Sequence, residues 1–300
     1  MKRKVTQMGQ SSLVITLPSK WVREYQVKKG QEVEVTAEKG TLTVGLSPAE
    51  KEKKTLVIDL SETEEFMRRQ ITVPYMQGYD EIQVLHASPK AVEMIEWTLN
   101  NLIGFEIIDM DRDSCTIKNV SAEIEGEFEA MLRKLFLTIL LMGERCVEYL
   151  REGNAEGNAG ELEKNLEAER LSNKYTYFCE RVMHNKRSDI NHPLFVFTIA
   201  FSLEGAADYL RDISTGLLKT RKKIPPEVKK DVSDVVQLYR AYYEHYYSRT
   251  PAGALAIRAR EKRIRERIEK SVMEGRNHFL YLYLMPLLSM VDHLNQITVA

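Results

Sequence analysis

The chain has little cysteine: Cys115, Cys146 and Cys179 are its only three thiols in 300 residues. An odd, widely spaced set flanked by apolar residues gives neither a disulfide framework nor a zinc-finger spacing, and predicts reduced core thiols of an intracellular protein. Charge of one sign is also lacking. The formal net charge is -1, which excludes a protein that coats nucleic acid along its whole length and confines any such contact to a local patch. No apolar stretch of signal-peptide character opens the sequence, and the most apolar late run, Phe279 to Met290, is too short to span a bilayer. A cytoplasmic protein without membrane insertion is predicted. His86, His184, His192, His245, His278 and His293 are scattered, and none stands in an H-E-x-x-H frame. Nucleophile elbow, P-loop and dinucleotide fingerprint are missing too, so the expectation is a protein that is not an enzyme and holds no organic cofactor.

What is present begins at the N-terminus. A basic strand, Lys2-Arg3-Lys4-Val5-Thr6, leads to a polar turn at Gly9 and Gln10, then to an apolar strand ending at Leu17. Pro18 starts a short helix to Tyr25, Gly30 turns the chain, and residues from Gln31 to Leu46 alternate as a hairpin around Glu38-Lys39-Gly40. Up to position 29 this segment carries Lys2, Arg3, Lys4, Lys20, Arg23, Lys28 and Lys29 against Glu24 alone. Residues 1–47 are too few to bury a core by themselves, so pairing with a second copy is predicted. Residues 47–54, polar and charged around Pro48, read as a linker.

Residues 55–120 change rhythm. Strands are predicted at Thr55 to Leu60, Asp80 to Leu85, Phe105 to Met110 and Cys115 to Val120. One helix is expected to open at Ser61 and Thr63 with Glu64 and Glu65 in its first turn, and another runs from Pro89 to Leu102. This is a small α+β domain with two helices on one face of a sheet. Its Arg68, Arg69, His86 and Trp97 show no catalytic spacing and read as surface charge and a core aromatic.

Beyond Ser121 the pattern is helical, with Met131, Leu135, Ile139, Met142 and Val147 tracing one stripe. Breaks near 153–160, 185–193, 222–226, 250–253 and 275–277 give six helices in two sets of three, at 121–220 and 226–300. The third helix of each set ends alike, in Leu203-Glu204-Gly205-Ala206-Ala207-Asp208 and Leu288-Ser289-Met290-Val291-Asp292-His293, so a tandem pair of antiparallel three-helix bundles is predicted. The fold class is therefore multidomain α+β. The basic runs Lys219 to Lys223 and Arg258 to Arg267 fall in a linker or between glutamates and read as solvated faces or partner surfaces.

The order strand, glycine turn, strand ending in Leu-Pro, short helix, glycine and hairpin resembles the AbrB/SpoVT family of swapped-hairpin DNA-binding domains. That resemblance implies an intertwined homodimer and carries DNA contact to Arg3, Lys4 and Arg23. A two-fold axis would bring Lys2, Arg3, Lys4 and Arg23 of both copies to one face for the phosphates of double-stranded DNA, with Gln10, Ser11 and Ser12 near base edges. Gln10 replaces the arginine common after the turn glycine in that family.

The helical half is similar to PhoU, a regulator of phosphate uptake, and the three-part order resembles archaeal PhoU-like proteins with an AbrB-type head. This resemblance implies carboxylate metal ligands on facing helices: Glu169 and Asn173 on the second helix, Glu204 and Asp208 on the third. Such an oxygen set suits a divalent cation or an iron ion. In the second bundle Asp292, His293 and Asn295 are kept, but Leu288 replaces the acid. The function implied is a dimeric transcriptional regulator of phosphate homeostasis with a helical sensor body. The alternatives are a PhoU-type adaptor docking on a phosphate transporter or its signalling kinase, the head serving only to dimerise, and an AbrB-type antitoxin.

Overall fold

The structure is a computed structural model that describes residues 2–9, 12–38, 40–46, 53–62, 65–121, 127–152, 159–185, 193–220, 222–276 and 278–298. It divides into two compact units, Met1–Lys53 and Lys54–Ala300.

The first unit contains β1 (Thr6–Met8), β2 (Ser12–Val14), α1 (Ser19–Glu24), β3 (Val33–Glu38) and β4 (Thr41–Leu46). Gly9 takes a left-handed φ of 77° between β1 and β2, which pair antiparallel with Gln7 opposite Leu13. Lys2, Arg3 and Lys4 precede β1 rather than lying within the predicted basic strand. In the β3–β4 hairpin Val33 faces Leu46, Val35 faces Val44 and Ala37 faces Leu42. Because side chains alternate with period two, this register places six aliphatic groups on a single face. Among the unit's described residues none is buried, and on this face Val33, Val44 and Leu46 are half-buried while Val35 is 53% exposed and Leu42 57%.

The second unit opens with a four-stranded sheet of order β5-β6-β8-β7, built from β5 (Thr55–Asp59), β6 (Glu81–Leu85), β7 (Phe105–Met110) and β8 (Ser114–Asn119). β5 and β6 are parallel, and β6, β8 and β7 pair antiparallel. Helices α2 (Met67–Met76) and α3 (Pro89–Leu99) bury Ile71, Tyr75, Ala91 and Ile95 against Ile82, Val84, Phe105 and Ile117. The four predicted strands are observed. The first helix starts later than predicted, at Met67, because the Ser61 backbone N–H donates to Asp59 Oδ1 at 2.9 Å and Phe66 enters a left-handed conformation at φ 60°. Ser61 thus closes a turn rather than opening a helix; Thr63 and Glu64 lie outside the described residues.

Six helices follow: α4 (Phe128–Glu152), α5 (Ala159–His184), α6 (Pro193–Lys219), α7 (Pro226–Ser248), α8 (Pro251–Met273) and α9 (Tyr281–Thr298). α4, α5 and α6 pack on one another, as do α7, α8 and α9, and both sets feed one hydrophobic core. Their seam is made close by small residues: a Cβ on Gly143 would lie 2.9 Å from Val236, and one on Gly205 would lie 2.8 Å from Met290. By composition α6 is the described helix long and apolar enough to cross a membrane, in place of the late run singled out from sequence. Its Val196, Ile199, Leu203, Leu210 and Ile213 are buried in the bundle core. All three cysteines are buried and unpaired, as predicted, and burial raises each thiol pKa, Cys146 to about 11.

Candidate nucleic-acid interface and acidic cluster

In the N-terminal unit Lys2, Arg3, Lys4, Ser12 and Arg23 are all exposed. Arg23 sits in the last turn of α1, where its Nε donates weakly to the Ser19 carbonyl at 3.4 Å and its positive charge suits the helix C-terminus. Trp21 on α1 and Tyr25 at its C-terminal cap meet with their rings tilted, centroids 5.6 Å apart. Gln10 and Ser11 lie outside the described residues. Val5, Leu13 and Ile15 lie on one face of the β1–β2 ribbon and are all exposed, Leu13 at 73%. Cationic side chains at the strand start and apolar strand faces thus occur together on a unit none of whose described residues is buried.

Of the four residues predicted as metal ligands, Glu169 and Asn173 touch on α5, Arg211 of α6 links Glu169 to Asp208, and Glu204 feels the charges of Asp208 and Glu169. Asn173 Nδ2 donates to Glu169 Oε1 at 2.7 Å, and the Asn173 carbonyl oxygen is buried without a partner. Arg211, one turn beyond Asp208, donates through Nη1 to Glu169 Oε1 at 3.2 Å and to Asp208 Oδ1 at 2.5 Å. Its Nε and Nη2 reach Asp212 Oδ1 at 3.1 and 3.0 Å. Burial raises the Glu204 carboxyl to about 7, helped by the negative charges of Asp208, Glu169 and Glu180 and opposed by Arg211. Among the described residues no three His, Cys, Asp or Glu side chains form a group able to hold a metal ion.

Other side chains depart from the sequence reading. Trp97, expected in the core, is 38% exposed and meets two guanidinium groups, Arg68 at 5.0 Å and Arg170 at 5.9 Å from its ring centroid. Both cations come from neighbouring helices, so the ring is held by cation–π attraction rather than by burial. His86 is not isolated surface charge: its Nδ1 lies 2.9 Å from Asp59 Oδ1 at the C-terminal ends of the parallel strands β5 and β6. The Asp59 carboxyl is held at about 2, chiefly by the Ser61 backbone hydrogen bond and then by His86. In the run Arg258 to Arg267, Arg267 pairs with Asp231 and Asp234, both at 2.6 Å, and Asp231 is fully buried, so this part is a cross-helix ion pair and not a solvated face.

The residue that sequence reasoning missed most completely is Arg181 on α5. It is buried and donates to the carbonyl oxygens of Tyr75 and Tyr79, across the junction of the sheet with the helices. No sequence signal marks it, because an arginine late in a helix reads as a favourable C-terminal charge.

Residues 6–54 match the family model described as antidote-toxin recognition MazE, bacterial antitoxin. The match supports an AbrB/MazE-type domain at the N-terminus and ends where the second unit begins. Comparison with curated proteins and with solved structures finds no match.

Proposed function

We propose that this chain is a homodimeric DNA-binding regulator whose N-terminal unit contacts the duplex and whose helical body carries the regulatory input. The observation that carries the reading is the AbrB/MazE-type match over residues 6–54, on a unit whose apolar strand faces lie open. Dimerisation through those faces supplies the missing core. It also doubles the cationic set Lys2, Arg3, Lys4 and Arg23, which is the sort of patch that releases counterions from phosphates. The finer assignment, a response to phosphate status, rests on the resemblance of the helical half to PhoU.

The test is a duplex-shift titration of the full chain at increasing salt. Affinity falls steeply with salt, and the double variant Arg3→Ala with Lys4→Ala loses the shift. Unchanged binding by that variant rules out the assigned face. Mapping bound DNA in cells with and without phosphate starvation tests the signal; occupancy that does not respond removes the phosphate assignment and leaves the DNA contact standing.

A second reading is favoured by the family description itself: an antitoxin-type regulator that neutralises a partner toxin. Under it, a toxin co-purifies with the chain and alters operator affinity. Co-purification of transporter or kinase components without any duplex shift would favour the adaptor instead.

A further inference from the structure

We infer that the acidic cluster of the first bundle carries its cation as the guanidinium of Arg211, and that this body takes no metal ion there. The oxygen donors by themselves suit a hard cation, yet their hydrogen bonding does not. Glu169 Oε1 already accepts from both Asn173 Nδ2 and Arg211 Nη1. Asn173 therefore turns its amine, not its carbonyl, toward the carboxylate it would share with a metal. The same Nη1 also holds Asp208 Oδ1 at 2.5 Å. A divalent ion bound at roughly 2.0 to 2.6 Å to those oxygens would have to stand where the guanidinium stands, against a like charge.

The second bundle repeats the solution with a different arginine. Glu261 and Arg265, four apart on α8, occupy the middle helix of their set as Glu169 and Asn173 do on α5. Arg265 Nε donates to the buried Glu261 at 2.6 Å, and its Nη2 reaches Ser289 Oγ on α9 at 3.2 Å. In one set the guanidinium comes from the third helix and in the other from the second. Both join the middle and third helices by an internal cation, and in both a middle-helix carboxylate, Glu169 or Glu261, accepts from it, with Asp208 and Asp212 of the third helix adding to the hold on Arg211.

Electron paramagnetic resonance of free Mn²⁺ titrated into the chelator-treated full chain tests this directly, with elemental analysis of freshly purified protein for iron and manganese. Wild type leaves the free Mn²⁺ signal as it is in buffer and contains no stoichiometric metal. Arg211→Ala, and the neutral, polar Arg211→Gln, vacate the site, free the orphaned Asn173 carbonyl to turn inward, and sequester about one Mn²⁺ per chain. Adding Asp208→Ala to either abolishes that uptake. Stoichiometric metal in wild type that disappears in Glu204→Ala overturns the inference. So does failure of both Arg211 variants to take up more Mn²⁺ than wild type while keeping their helical circular dichroism. If neither variant folds, the wild-type measurement alone decides.

Discussion

Arg181 of α5 lies against Tyr75 of α2: the guanidinium carbon is 5.0 Å from the ring centroid, and Nη1 donates to the Tyr75 carbonyl oxygen at 2.9 Å. The same nitrogen donates to the Tyr79 carbonyl at 2.7 Å, and Nη2 lies 3.6 Å from Asp80 Oδ1. Asp80 in turn accepts the Lys54 backbone N–H through Oδ2 and donates its own N–H to the Lys54 carbonyl, so the first residue of the second unit is fastened to the sheet beside this arginine.

Arg181→Met keeps the aliphatic bulk and removes the donors, leaving the part-buried Tyr79 carbonyl without this donor and the Tyr75 carbonyl with the Gly78 N–H. The expected loss is about 2 to 4 kcal/mol of unfolding free energy, from two lost charge-assisted hydrogen bonds and a broken, largely buried ion pair. Urea denaturation followed by far-ultraviolet circular dichroism measures it. Because the arginine joins sheet to helices, the variant should also unfold in two steps, the sheet first. A single transition displaced by less than about 1 kcal/mol would show that packing alone holds this junction.

Much of the architecture was legible because the two hydrophobic periods are clean. The alternation in β5, β6, β7 and β8 and the three-four spacing of α4 follow directly from burying one face. What was not legible depended on partners distant in sequence. Trp97 has the composition of a core residue, and only the meeting of α2, α3 and α5 shows it contacted by Arg68 and Arg170. Asp59 and His86 are 27 positions apart and meet because β5 and β6 run parallel. The acidic cluster was half legible: the i, i+4 spacing gathers Glu204 and Asp208, but which cation answers them depends on the side-chain reach of Arg211, which no spacing encodes.

The open face of the β3–β4 hairpin makes a prediction about assembly. Val35 and Leu42 project from the six-residue aliphatic face and remain more than half exposed. Each aliphatic side chain covered in a dimer contributes about 1.5 to 3 kcal/mol, so Val35→Lys with Leu42→Lys forfeits several times the thermal energy and adds a desolvation cost. Light scattering coupled to size exclusion should report a dimer for wild type and a monomer for the double variant. The substitution leaves the second unit's core untouched, so the helical circular dichroism should persist. A variant that stays dimeric places the self-association elsewhere in the chain.

Glu204 makes the stability of the helical body depend on pH. Its carboxyl is raised from 4.5 to about 7, first by burial and then by the charges of Asp208, Glu169 and Glu180. A folded-state pKa above the unfolded one means the folded state binds the proton more tightly. The associated stabilisation is complete below pH 4.5, declines as pH rises, and is gone above about 7. Linkage caps the effect at about 3 kcal/mol, and partial solvent access reduces it to about 1 to 2 kcal/mol. Glu204→Gln mimics the protonated acid at every pH. It should therefore match wild type near pH 4, below the 4.5 of the unfolded carboxyl, and exceed it by that margin at pH 8, when chemical denaturation is run at both. An advantage of equal size at the two pH values would mean that packing of the amide, and not loss of the Glu204 proton, sets the difference.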